Sequence, residues 1–225
     1  NNVAICEQVN KRCRPLEHFT HYLQQGYYPF GAEGFATYNQ RVENTVELLL
    51  NIELPQLRKV DIGNIRKLKA LLSVLASEVP MLVDTAKLST LLGISRNTLL
   101  AYLEYLDEAK LIKRLYSDDL SVKKMQKPDK ILMDNCNLLK VLALKEPNIG
   151  TLRETFFCNQ LGYQHQVEYS KQGDFLIDHQ ITFEIGGQAK EGKQVAAVEN
   201  AYIVADDIEY SYGNKLPIWL FGLLY

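Results

Sequence analysis

The chain has 225 residues, of which 47% are hydrophobic, and a formal net charge of -2. This length suits two small domains with a lead-in segment, and the apolar fraction excludes an intrinsically disordered chain. The four cysteines form no CxxC pair, the four histidines complete no zinc spacing, and no run of about 18 apolar residues occurs. We therefore expect a reduced, cytoplasmic protein that neither spans a membrane nor carries a structural zinc ion.

The charges are distributed unevenly along the chain. Residues 62–133 carry 12 Lys and Arg against 8 Asp and Glu, whereas residues 134–225 carry 7 against 12. A phosphate-bearing partner is attracted by positive charge, so the basic surplus indicates residues 62–133 as the segment that would meet nucleic acid.

Residues 1–61 are interpreted as a helical lead-in. The apolar spacing predicts a short helix over 16–24, which Gly26 ends. A stronger helix is predicted over 38–52, and Pro55 is expected to stop it. The aromatic residues between these helices are interpreted as a packed loop rather than a ligand surface.

Residues 62–133 carry the pattern of a winged helix-turn-helix. Apolar residues recur at helical spacing from Ile62 onwards, which predicts a first helix. Asp84 is suited to cap a second helix, Gly93 to end it in the left-handed region, and Ser95 to cap a third. A helix, a short turn with glycine and another helix are typical of the helix-turn-helix.

Two strands over 111–116 and 130–133 would complete the wing. In this fold the first residues of the third helix reach base edges, and lysines of the wing loop meet phosphates. The residues predicted to contact nucleic acid are Arg96, Asn97 and Thr98 on the helix and Lys123 and Lys124 on the wing. The alternative is a winged helix that binds another protein.

Residues 134–225 are predicted to form an α/β core. The predicted elements are a helix over 150–161, strands over 164–169, 174–178 and 180–185, a second helix over 193–198, a strand over 202–205 and an edge strand over 217–223. This order is typical of metal-dependent nucleases, in which carboxylates hold a Mg²⁺ ion that activates water and shields the phosphate charge.

Acidic residues occur where such a site requires them. Asp174 opens one strand and Glu184 lies near the end of the next, so both are candidate metal ligands, with Glu154 on the preceding helix as support. A lysine is expected two residues after Glu184 to stabilise the developing anion, but that position holds Gly186. Lys190, four residues later, is the near substitute.

These motifs together resemble a known family over nearly the whole chain. The resemblance is to the C-terminal half, often called domain of unknown function 4143, of bacterial and archaeal AAA+-like P-loop ATPases. It rests on Gly26-Tyr27-Tyr28-Pro29, Asp61-Ile62, Ser95-Arg96-Asn97-Thr98-Leu99, Tyr102-Leu103, Leu106, Lys130-Ile131-Leu132-Met133-Asp134, Gly150-Thr151-Leu152-Arg153-Glu154, Gly173-Asp174-Phe175 and Phe183-Glu184-Ile185-Gly186-Gly187.

The resemblance implies an ATPase domain upstream of Asn1, where ATP would bind; residues 1–225 contain no GxxxxGK[ST] loop. It also implies a winged helix followed by a restriction-endonuclease-like domain of the PD-(D/E)XK type. The chain departs from the family at two positions. Gly186 replaces the usual lysine, and Gly173 stands where many relatives carry an acidic residue.

The fold expectation is therefore α+β, with a lead-in over 1–61, a winged helix-turn-helix over 62–133 and a nuclease-like core over 134–225. The leading functional hypothesis is a non-catalytic, DNA-associated region of a P-loop ATPase, without a cofactor of its own. One alternative is a Mg²⁺-dependent nuclease that uses Lys190 as a displaced lysine. Another is an interaction module that docks on the chain's own ATPase domain.

Overall fold

The computed structural model describes residues 2–58, 62–117 and 127–224. The chain is mixed α+β with two small sheets, in agreement with the α+β class expected from the sequence. Among the helices of these three ranges, none combines the length and the apolar character needed to cross a bilayer.

The described residues form nine α-helices. They are α1 (Asn2–Asn10), α2 (Pro15–Gln25), α3 (Tyr38–Leu48), α4 (Leu54–Arg58), α5 (Ile62–Glu78), α6 (Thr85–Leu92), α7 (Arg96–Glu108), α8 (Cys136–Leu142) and α9 (Ile149–Leu161). Short 3₁₀ segments occur at Pro29–Glu33 and Ile218–Leu223, and a π-helical turn occurs at Leu49–Glu53.

Eight strands lie in the same part of the chain. They are β1 (Met81–Leu82), β2 (Ile112–Leu115), β3 (Lys130–Met133), β4 (Val167–Tyr169), β5 (Phe175–Ile177), β6 (Ile181–Gly186), β7 (Ala201–Ala205) and β8 (Lys215–Pro217). The first sheet has the antiparallel order β1-β3-β2. The second has the order β4-β5-β6-β7-β8, antiparallel from β4 to β6 and parallel from β6 to β8.

The chain divides into two compact units. The sheet unit contains residues 2–24, 117 and 148–224, and the helical unit contains residues 25–58, 62–116 and 127–147. These boundaries differ from the lead-in, winged-helix and core segments expected from the sequence. The first 24 residues belong with the second sheet, and the rest of the lead-in belongs with the helical unit.

The helix ends of the helical unit follow the capping residues identified in the sequence. The Asp84 carboxylate accepts the Ala86 and Lys87 amides at 3.0 Å each, and α6 ends at Gly93 with φ 58°. Ser95 Oγ accepts the Thr98 amide at 3.1 Å and so begins α7. These caps satisfy amides that a helix start otherwise leaves without a partner.

Strand β1 was not anticipated from the sequence. It pairs antiparallel with β3, with Met81 opposite Ile131 and Leu82 opposite Lys130. A two-residue strand is too short to produce an alternating pattern, so periodicity could not reveal it. The predicted strands of this sheet, β2 and β3, are present and pair over four residues.

Pro55 does not end the helix that precedes it, contrary to expectation. The backbone passes from α3 through the π-helical turn into α4, and the Leu54 amide donates to the Leu49 carbonyl. Proline lacks an amide hydrogen and crowds the carbonyl one turn earlier. The wider π turn accommodates this missing bond, so the helical path continues.

The aromatic loop after α2 is packed, as the sequence suggested. Tyr38 is fully buried, and its hydroxyl accepts the Tyr28 amide at 3.1 Å and donates to the Asn137 side chain. Asn137 Oδ1 also accepts the Tyr27 amide at 2.8 Å. One buried side-chain amide therefore ties this loop to α8.

The second sheet packs on α9 through a cluster of phenylalanine rings. Phe157 on α9 lies 5.4 Å from Phe175, 5.0 Å from Phe183 and 4.8 Å from Phe221, measured between ring centroids. Aromatic pairs at these separations and tilts are favourable beyond the area they bury. This cluster fixes β6, which carries the candidate site, against α9.

Two predicted elements of the sheet unit are wrong. The helix expected over 193–198 is absent, and residues 193–197 form turns. The segment is only six residues long and follows Gly192, which has φ 69°, so it is too short to stabilise a helix by itself. The edge strand expected over 217–223 is instead β8, which ends at Pro217, followed by a 3₁₀ segment.

Candidate functional site

Glu184 lies in the centre of the second sheet, near the end of β6. It is 1% exposed, and Lys190 Nζ lies 2.9 Å from its Oε1. The Lys190 side chain keeps 34% of its surface exposed, so the pair is buried on the carboxylate side and open on the amine side. The structure thus brings together Glu184 and the lysine that the sequence offered as a near substitute.

Gly186 makes this contact possible. A Cβ atom at Gly186 would lie 2.7 Å from Lys190 Cγ and 2.8 Å from Lys190 Cβ and Cδ, distances that real side chains do not adopt. The aliphatic part of Lys190 therefore runs across the position where the nuclease pattern expects a lysine side chain. The glycine provides the space for the lysine that arrives from the following turn.

Asp174 lies beside the same strand. Its amide donates to the Phe183 carbonyl at 2.9 Å, and its Oδ2 accepts the Ile185 amide at 2.6 Å. This hydrogen bond fixes the Asp174 carboxylate to the backbone of β6, one residue beyond Glu184. A carboxylate that accepts a backbone amide is well fixed in orientation.

The second carboxylate oxygen of Glu184 is not satisfied. Oε2 is buried and has no hydrogen-bond partner among the described residues. A buried carboxylate oxygen without a partner is costly, so the site favours a further positive group at this oxygen. Mg²⁺ typically takes one or two protein carboxylates and keeps several waters, so this Glu184 oxygen is a candidate metal ligand.

Glu154 does not complete a larger ligand group. It is half-buried on α9, and no three His, Cys, Asp or Glu side chains in the described ranges are close enough together to hold a metal ion. Any divalent ion at this place would therefore depend on Asp174 and Glu184, with water and substrate as the other ligands.

A second cation, which sequence reasoning missed, lies at the end of the same strand. Arg153 Nε lies 2.9 Å from Asp206 Oδ2, and Arg153 Nη2 lies 3.6 Å from Asp207 Oδ2. A Cβ atom at Gly187 would lie 3.2 Å from Arg153 Nη1, so this glycine leaves room for the guanidinium. The Gly186-Gly187 pair was the available signal, because consecutive glycines often mark a close approach of other groups.

The start of α7 is the second candidate site. Arg96 and Asn97 are exposed, and the described residues offer neither side chain a hydrogen bond or an ion pair. Thr98 differs from them because its hydroxyl lies 2.8 Å from Ser95 Oγ and takes part in the cap. Arg96 and Asn97 are therefore the residues of this predicted set that are available to a ligand.

The acidic residues further along α7 are mostly compensated. Asp107 Oδ2 accepts a hydrogen bond from Arg114 Nε at 3.0 Å, and Glu108 forms an ion pair with Arg58. Glu104 stays exposed. Lys123 and Lys124, the predicted phosphate contacts, lie outside the described residues.

Comparison with curated proteins and with solved structures yields no match. A family model described as "Domain of unknown function (DUF8612)" matches residues 16–148, which cover the helical unit and most of α2. This is a different family model from domain of unknown function 4143, to which the sequence bears a resemblance. The matched residues make up more than half of the chain, which therefore belongs to the family described as Domain of unknown function (DUF8612).

Proposed function

We propose that the sheet unit cleaves phosphodiester bonds in nucleic acid, with Mg²⁺ held by Asp174 and Glu184. The observation that carries this proposal is the 2.9 Å contact between Lys190 Nζ and Glu184 Oε1. The sequence favoured a non-catalytic region because Gly186 replaces the expected lysine. Lys190 packs over Gly186 and reaches the Glu184 carboxylate, so the missing lysine at position 186 no longer argues against catalysis.

Each residue has a chemical role in this proposal. When bound, Mg²⁺ supplies Lewis-acid stabilisation of the phosphate and activation of water. Asp174 and Glu184 would hold the ion, and the ammonium of the partly exposed Lys190 side chain would stabilise negative charge that develops on the phosphate oxygens. Arg153 lies at the end of β6 in ion pairs with Asp206 and Asp207, so its charge is already compensated there.

The test is cleavage of supercoiled plasmid and of linear duplex, with Mg²⁺ or with EDTA. We expect Mg²⁺-dependent cutting that Asp174→Asn and Glu184→Gln abolish. Lys190→Met keeps the aliphatic stem over Gly186 and removes the charge. It should slow cutting by roughly 10²-fold, as expected for the loss of one group that stabilises the transition state.

Lys193→Met is the matched control. Lys193 lies in the turn that follows Lys190, is 86% exposed and pairs with Glu191 rather than with the site. Its loss should leave the rate unchanged. The proposal fails if the wild-type chain does not cut with Mg²⁺, or if Lys193→Met slows cutting as much as Lys190→Met.

We propose as a second function that the helical unit is a winged helix-turn-helix that binds duplex DNA through α7. The element order α5-β1-α6-α7-β2-β3 and the sheet order β1-β3-β2 support the fold. The observation that favours binding is the pairing of Asp107 and Glu108 with arginines, because compensated carboxylates repel phosphate less. Arg96 and Asn97 then form an exposed tip suited to base edges.

Fluorescence anisotropy with duplex DNA over a salt series tests this second function. We expect binding that weakens steeply with salt and falls in Arg96→Ala/Asn97→Ala, whereas Arg12→Ala, an exposed arginine of the sheet unit, should behave as wild type. Absence of binding at low salt would contradict it and would favour the helical unit as a protein-interaction module.

A further inference from the structure

A cavity of about 380 Å³ lies within the sheet unit. Residues of α1, α2, α9 and the last 3₁₀ segment line it. Phe19, Phe156 and Trp219 form a buried base, whereas Cys13 and His18 are exposed and mark the mouth. The volume falls in the range of pockets that enclose small-molecule ligands, about 300–1,000 Å³.

The cavity walls are largely aromatic and well fixed. The Phe19 and Phe156 rings meet edge to face at 4.8 Å, and the Tyr22 and Phe156 rings do so at 5.7 Å. The Trp219 indole N–H donates to the Ile208 carbonyl at 3.1 Å, which holds the indole in place. Such rings present both faces and edges to an apolar ligand, and a ring-containing ligand would use both.

The cavity has one polar wall. Gln160 is 5% exposed, and its Nε2 donates to the Tyr22 hydroxyl at 3.1 Å and to Asn159 Oδ1 at 2.9 Å. This side-chain amide is therefore held in one orientation next to the aromatic base. Pockets of this kind use a few fixed polar groups to orient an otherwise apolar ligand.

The charge of the ligand follows from the lining. No Lys, Arg, Asp or Glu is among the described residues that line the cavity. A charged group moved into this space would lose its hydration without gaining a counter-ion, which is strongly unfavourable.

We propose that this cavity binds a neutral, ring-containing small molecule with a single hydrogen-bonding group directed at Gln160 and Tyr22. The site is separate in its residues from Asp174, Glu184 and Lys190, so it does not depend on the proposed nuclease function. It adds a ligand-binding role to the sheet unit.

Two matched probes test the chemistry. N-phenyl-1-naphthylamine is neutral and carries one N–H group, and 8-anilino-1-naphthalenesulfonate has the same rings with an added sulfonate. Trp219 is the single tryptophan of the chain and lies in the cavity, so energy transfer from it to the probe reports binding at this place. We expect one neutral probe to bind per chain. The sulfonate should bind with an affinity at least about tenfold lower than that of the neutral probe.

Substitutions at the mouth locate the site. Cys13 is exposed, so replacing it should not affect folding, which far-ultraviolet circular dichroism would verify. Cys13→Phe should fill the mouth and weaken binding of the neutral probe about tenfold or more, whereas Thr20→Phe, at an exposed position of α2 outside the cavity lining, should bind as wild type. The inference is overturned if the neutral probe does not quench Trp219, if the sulfonate binds equally well, or if Cys13→Phe leaves binding unchanged.

Discussion

At the scale of single residues, Gly186 and Lys190 show what spacing along a strand does not reveal. A search for a lysine two positions after Glu184 finds a glycine and suggests lost chemistry. The structure shows that the glycine makes room for a lysine from the next turn, whose ammonium lies 2.9 Å from Glu184 Oε1. Spacing along the strand identified both carboxylates, but it could not reveal a side chain that arrives from a turn, since turn geometry is not periodic.

Gly186→Ala should destabilise the sheet unit. The new methyl group would overlap the Cβ, Cγ and Cδ atoms of Lys190, and Cβ can move only with the backbone. We expect a loss of about 1–3 kcal/mol in the free energy of unfolding, as is usual when a packed site is overfilled. Urea unfolding followed by Trp219 fluorescence measures this loss. In a Lys190→Gly background the same alanine should cost little, and an equal cost in both backgrounds would contradict the proposed overlap.

Asp134 makes stability depend on pH. Burial raises the pKa of Asp134 above its ordinary value, although a hydrogen bond from Asn135 partly opposes this. A raised pKa in the folded state means that the carboxyl binds protons more readily when folded, so its contribution to stability falls as pH rises through that range. Asp134→Asn removes the charge and keeps an oxygen that can accept the Tyr27 hydroxyl.

We therefore expect Asp134→Asn to unfold at a higher temperature than wild type at pH 7.5. The difference should shrink towards pH 4, where the wild-type carboxyl is increasingly protonated. Thermal unfolding of both proteins across this pH range is the measurement. A variant that is less stable at pH 7.5, or a difference that does not change with pH, would show that burial of this charge carries no penalty.

At the scale of elements, local signals were reliable where the chemistry of a single residue begins or ends a helix. Asp84, Gly93 and Ser95 end or begin helices as their chemistry requires. Prediction failed where tertiary context decides: at Pro55, which a π turn accommodates, and at residues 193–198, which form no helix. A short segment has no helical preference strong enough to override its neighbours.

Ser95, which caps α7, allows the contribution of a local signal to stability to be measured. Ser95→Ala removes the oxygen that accepts the Thr98 amide, and should lower the free energy of unfolding of the helical unit by about 1 kcal/mol. Ser95→Asp retains an acceptor and should restore most of the loss. Denaturant unfolding followed by circular dichroism compares the three proteins. If Ser95→Ala is as stable as Ser95→Asp, the cap contributes little and the start of α7 is held by packing.

At the scale of the whole molecule, the sequence indicated the mixed α+β class but not how the chain is partitioned. The first helices look like a simple lead-in because their apolar pattern does not reveal which sheet or helix they cover. In the structure, Phe19 and Tyr22 of α2 pack on Phe156 of α9, more than a hundred residues away. Contacts between such distant segments leave no periodic signal in a single sequence.

This partition predicts how fragments behave. Residues 25–147 contain the whole helical unit and should fold alone, with native-like helical circular dichroism and dispersed amide resonances. Residues 148–225 alone lack α1 and α2, so the apolar face around Phe156 would be exposed, and this fragment should not fold cooperatively. The partition is contradicted if 148–225 folds by itself while 25–147 does not.

The proposed nuclease function requires that Asp174 and Glu184 bind a divalent cation at the end of β6. The most direct measurement is titration of the chain with Mn²⁺, a paramagnetic substitute for Mg²⁺, followed by electron paramagnetic resonance of the free ion. We expect one Mn²⁺ ion to bind per chain and excess Mg²⁺ to displace it. Lys193→Met should retain this binding, whereas Asp174→Asn and Glu184→Gln should each abolish it. The proposed metal site is contradicted if the wild-type chain binds no Mn²⁺, or if the Glu184→Gln variant still binds it.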